Sequence, residues 1–127
     1  MSSLPHEFRQ IRLELAREPG HPGGSSATGY DLIAPLDEDS RLSAEVWRQH
    51  KDECRVHRFR EGEDDVVGRL ARKPGGWWYF DYDDSTTDDD EPAYRLSTER
   101  FLIGEYVSVQ DEHGNMHTYR VVSVREM

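Results

Sequence analysis

Gly104 to Val124 reads GEYVSVQDEHGNMHTYRVVSV, two runs of alternating apolar and polar residues around the turn-forming DEHGN. Period-two alternation marks a strand, because successive side chains point to opposite faces. Gly114 suits the left-handed position after a type I turn, which makes the pair a hairpin with a three-residue loop and a bulge. In that register Val107, Val109, His117, Tyr119 and Val121 share one face, and Tyr106, Met116, Val122 and Val124 share the other. Both faces are partly apolar, so the hairpin is expected inside a curled sheet rather than at a free edge.

Outward from the hairpin, the same period recurs. Arg9 to Arg17 (RQIRLELAR) sets Ile11, Leu13 and Leu15 against Arg12, Glu14 and Ala16, a half-buried strand. A turn-rich connector follows over 18–29, EPGHPGGSSATG, and then Tyr30 to Leu36, a strand that Pro35 confines to an edge or an end. One helix is expected over 43–53. Ser43 can cap it, Glu45 suits its first turn, and Leu42 with Trp47 can close a hydrophobic staple. From Cys54 onward come short strands, CRVHRFR, VVGRLARK and WWYFDYD, the last two joined by Pro74-Gly75-Gly76. The expectation is a mainly β, α+β single domain over 1–127: a small antiparallel barrel or curled sheet of about seven to eight short strands with one helix.

The chain has 127 residues, 35% hydrophobic and 33% charged, with three Trp, six Tyr and four Phe as core material. No apolar run approaches the roughly 20 residues of a membrane span. One cysteine cannot form an internal disulfide, and the N-terminus lacks a signal pattern, so a cytoplasmic protein is expected. The net charge of −10 is uneven. Asp81 to Glu91 (DYDDSTTDDDE) holds seven of the 26 acids, while Arg48 to Arg60 carries five bases against two acids. The acidic loop, placed at 83–92 and read as solvated and flexible, disfavours nucleic acid as a partner.

Three stretches invite chemistry. HKDECRVH places His50, Cys54 and His57 at spacings of four and three, which allows a zinc site if a fourth ligand joins. Against it, Val46, Trp47, His50 and Cys54 follow the buried stripe of the helix, where a free cysteine behaves as a small hydrophobe. In the acidic loop Asp81, Asp83 and Asp89 alternate as calcium ligands would, yet Thr86 and Pro92 stand where an EF-hand needs glycine and glutamate. GWWYFDY is the richest aromatic run: Trp77, Tyr79 and Asp81 point one way, Trp78, Phe80 and Tyr82 the other, and one set must enter the core. No G-x-S-x-G, HExxH, S-x-x-K or P-loop pattern occurs, so neither catalysis nor a cofactor is expected. An enzyme could still be built on Cys54 or His117 if folding set either beside a second titratable group.

The stretches IRLELAREPGHP, GYDLIAPLD and GEYVSVQDEHGNMHTYRVVSV resemble a family of small acidic alphaproteobacterial proteins with no assigned activity. The resemblance implies a single bacterial cytoplasmic domain and carries over no ligand or catalytic residue. The functional expectation is a non-enzymatic binding module for a protein, peptide or small neutral ligand. Its binding face would comprise Trp77, Trp78 and Tyr79 with Arg48, Arg55 and Arg58. Metal binding, at His50/Cys54/His57 or Asp81/Asp83/Asp89, is the alternative.

Overall fold

The computed structural model of the chain describes residues 5–73, 77–82, 100–110 and 115–126. Among these, seven strands form one sheet: β1 (Phe8–Leu15), β2 (Ser25–Pro35), β3 (Arg55–Phe59), β4 (Val66–Lys73), β5 (Trp77–Tyr82), β6 (Tyr106–Gln110) and β7 (Met116–Glu126). Their order is β5-β4-β3-β2-β1-β7-β6, with every neighbouring pair antiparallel. One α-helix, α1 (Ala44–Gln49), and a 3-10 turn (Lys51–Glu53) lie between β2 and β3. None of the described helices is long and apolar enough to cross a membrane.

The alternating apolar residues dictate the sheet's curl. Ile11, Leu13 and Leu15 of β1, Tyr30 and Leu32 of β2, Phe80 of β5 and Val107, Val109, Tyr119 and Val121 of the C-terminal hairpin are all buried on one face. In a flat sheet, β2 and β5 would lie about 14 Å apart, three strand spacings. The Tyr30 ring nevertheless meets Phe80 at 5.0 Å and, on its other side, Tyr119 at 5.2 Å. The sheet is therefore a half-barrel curled around its own aromatic core, and burying that core is the main drive for its closure.

The helix packs against this concave core. Ser43 caps it, its Oγ accepting the Val46 N–H at 3.3 Å, and Leu42 and Trp47 are both buried as a staple requires. Trp47 packs edge-on to Trp78 at 5.5 Å and donates its indole N–H to the Leu70 carbonyl at 2.8 Å. The helix is shorter than the sequence suggests. His50 leaves helical geometry (φ −138°), its N–H bonding Trp47 O three residues back, and Lys51–Glu53 continue as a 3-10 turn.

Three expectations about strands need correction. The connector does not run to Gly29, because β2 begins at Ser25. Its pairing jumps from Glu14↔Gly29 to Leu15↔Ser25, so Ser26 to Thr28 bulge out of the ladder. Gly29 is required where the strands converge: a Cβ there would collide with the Leu13 carbonyl oxygen and come within 3.0 Å of the Phe59 ring. Val124 does not share a face with Tyr106 and Met116; a register shift opposite Arg12/Leu13 bulges β7 at Val122 and returns Val124 to the core side. Finally, only β7 is interior, whereas β6 pairs on one side alone among the described residues.

Candidate ligand groove on the outer sheet face

The aromatic strand divides as its period demands. Trp78, Phe80 and Tyr82 are buried at 1%, 0% and 4% exposure. Trp78 is therefore a core residue rather than part of a binding face: it is buried and packs against Trp47. Tyr79 is half-buried on the opposite face, and the Trp77 side chain lies outside the described residues. The three arginines expected beside these rings do not gather into one face. Arg48 is exposed on α1; Arg55 lies on the outer sheet face, opposite Ile33 and Arg69. Arg58 has the opposite parity and stacks 4.9 Å over the buried Tyr82 ring.

The histidine–cysteine set does not converge either. Cys54 is fully buried and its thiol donates to the His50 carbonyl at 3.3 Å, a backbone rather than an imidazole contact. The His50 ring stands edge-on to Phe8 at 5.8 Å. His57, one strand position out of phase with Cys54, faces outward, its Nε2 2.9 Å from Asp65 and its Nδ1 3.9 Å from Asp31. Among the described residues, no group of three or more His, Cys, Asp or Glu side chains is placed to hold a metal ion. Asp81 is half-buried on β5, while Asp83 and Asp89 lie outside the described residues. Burial pushes the Cys54 thiol up to about 12, with the Glu53 charge adding to the effect, so it stays protonated at neutral pH and is a poor nucleophile. His117 is engaged by Glu18, Nδ1 to Oε2 at 3.0 Å, which ties the connector to β7.

A different site emerges on the convex side. A charged row crosses the centre of the outer face, with Arg12 of β1, Asp31 of β2 and His57 of β3 side by side in register. Arg12 donates through Nε to Glu14 at 2.9 Å and through Nη1 to Asp31 at 3.1 Å, and its guanidinium lies 4.3 Å over the Phe59 ring. The Glu14 hydrogen bond, helped by the charges of Asp31 and Glu14, raises the Arg12 pKa above its ordinary value despite partial burial.

Beside this row lies a groove of about 1020 Å³, floored by β1, β7 and β6 and walled by the connector. Its wall is built by the bulged segment of β2. The Ser25 Oγ accepts the Ala27 N–H at 3.1 Å, and the Ser26 carbonyl accepts from Arg12 at 3.4 Å. Gly24 is needed at the corner: it sits at φ +77°, and a side chain there would crowd the Leu15 carbonyl. The Ala16 N–H bonds the Thr118 carbonyl at 2.9 Å, which holds Arg17 beside the strand carrying Arg120. Tyr106, 57% exposed, stands opposite Arg120 in register.

Arg17, Arg120, Ser25, Ser26, Tyr106 and Thr118 all line this groove. The hydroxyl-rich connector and the polar face of the C-terminal hairpin are visible in the sequence. Their meeting is not, because it depends on β1 pairing with β7 across nearly the whole chain. No family model, curated protein or solved structure matches the chain, so its function rests on this geometry.

Proposed function

We propose that the protein is a non-enzymatic binding module of a bacterial cytoplasm that holds a small molecule or short peptide in the outer-face groove. The observation that carries this reading is the groove itself, a concavity of about 1020 Å³ with two arginines and several hydroxyls around it. That size is at the upper end of small-ligand sites. The only cysteine supports binding over catalysis, since its thiol is buried and held protonated. Nucleic acid is a poor fit, because a long polyanion would meet the whole molecule's charge of −10.

Amide NMR shifts of the uniformly labelled protein, titrated with a panel of neutral and charged small molecules and short peptides, test this. Shifts concentrated on Ser25, Ser26, Ala27, Thr118 and Arg120 are expected. Shifts confined to Tyr79 and its neighbours, or none with any panel member at millimolar concentration, would overturn the groove as the binding site.

A further inference from the structure

Resting on that reading, we infer that the groove takes a small organic oxyanion, a carboxylate or phosphate monoester, clasped between Arg17 and Arg120. Both arginines are exposed and line one cavity, and among the described residues neither has an ion-pair partner. Arg12, Arg41 and Arg69, by contrast, are engaged: Arg12 by Glu14 and Asp31, Arg41 by Asp39, Arg69 by Asp52. A guanidinium's rigid fork of donors matches the paired oxygens of a carboxylate or phosphate.

The arrangement keeps Arg120 available against an obvious competitor. Among the described residues Glu14 is the only acid lining the groove, and it stands directly opposite Arg120 across the β1–β7 ladder. Opposed charges at such positions normally pair. Here Glu14 Oε2 is taken by Arg12 at 2.9 Å, and Arg12 is itself fixed by Asp31 and by stacking on Phe59. Arg12 thus acts as a positioning residue that draws the carboxylate away and leaves Arg120 facing the groove. Hydroxyls from Ser25, Ser26 and Thr118 supply neutral donors around the two cations. The space far exceeds an inorganic ion, so the anion is expected to carry an organic body, against which the exposed Tyr106 ring can lie. The overall negative charge does not oppose this: a small anion within a Debye length of two arginines feels chiefly their field.

The test is calorimetric titration of the purified protein with citrate, glucose 6-phosphate and glucose, with groove amide shifts followed in parallel. Citrate, glucose 6-phosphate or both should bind, weaken as salt rises, and move the groove amides; which one binds separates a carboxylate from a phosphate ligand. Arg17→Gln and Arg120→Gln should each lower affinity about tenfold or more, the scale of one lost charge-assisted hydrogen bond. Arg12→Gln should weaken binding with both groove arginines intact, because Glu14 is freed to pair with Arg120, and the added Glu14→Gln change should restore it. That rescue is not expected of a purely structural role for Arg12. If glucose moves the groove amides and neither anion does, the oxyanion inference fails while the groove reading stands. If anion affinity is unchanged in both Arg17→Gln and Arg120→Gln, the binding is adventitious and the inference is overturned.

Discussion

Replacing Trp47 measures how the helix is held to the half-barrel. The side chain is 8% exposed, stacks edge-on to Trp78 at 5.5 Å and donates to the Leu70 carbonyl at 2.8 Å. Trp47→Ala loses the buried rings and leaves a cavity, a change that costs about 3–5 kcal/mol. Trp47→Phe keeps a ring against Trp78 but removes the indole donor, at about 2 kcal/mol for the lost hydrogen bond and reduced packing. A domain this size shifts its midpoint by about 4 °C per kcal/mol, so the two variants should melt roughly 12–20 °C and 8 °C below the parent. Thermal melts followed by circular dichroism, with urea unfolding for the free energies, give both values. Since total stability is about 5–15 kcal/mol, Trp47→Ala should be close to marginal. If both variants melt within about 2 °C of the parent, neither the indole bond nor the Trp47–Trp78 contact fastens the helix, and the account of the core's closure is wrong.

Two further outcomes follow from packing. Gly29→Ala should destabilise by about 3 kcal/mol in urea melts, because the new methyl meets the Leu13 backbone, which cannot yield without parting β1 from β2. Adding Phe59→Ala, which removes the other crowded neighbour, should not rescue it; recovery would show the ring, rather than the backbone, to be the obstacle. For Cys54, burial raises the folded-state thiol pKa from 9.0 to about 12, so the folded form keeps its proton more tightly than the unfolded form. Its contribution to stability is therefore complete below pH about 9 and is lost as pH rises toward 12. Urea melts between pH 7 and 10.5 should show the parent losing stability faster than Cys54→Ala above pH 9. Parallel curves, or a native thiol that reacts with a thiol reagent as fast as in urea, would contradict its burial.

The strands were legible where one face is apolar and the other charged. Ile11, Leu13 and Leu15 are buried as their alternation requires, and Val107, Val109, Tyr119 and Val121 share the core face that the hairpin register assigns them. Ser43 caps the helix as its residue type suggests. What sequence period cannot carry is a change of phase. The bulge at Val122 moved Val124 to the core side, and the bulge after Ser25 turned part of a presumed loop into strand and built the groove wall. Trp78 and Tyr79 had equal claims to exposure until the pairing of β5 with β4 decided which parity faced Trp47. The groove is invisible to sequence period for a related reason. Arg17 and Arg120 lie on segments whose adjacency is tertiary, set by the Ala16–Thr118 bond and the β1–β7 ladder.

That ladder also governs how the molecule must be made. β1 occupies an inner position of the sheet, yet one of its two partners is β7, the last of the described strands, with Arg9 opposite Glu126. As the ribosome extends the chain from its amino end, β1 and β2 can join early, while the other edge of β1 stays open until β7 has cleared the exit tunnel. Contacts of such high order are slow to form, because the closing loop is nearly as long as the chain itself. During that interval Ile11, Leu13 and Leu15 have no cover from Tyr119 and Val121, and the exposed strand edge is a template for misassociation. The outward charges of Arg12 and Glu14 on that same strand give the nascent chain a polar flank while it waits.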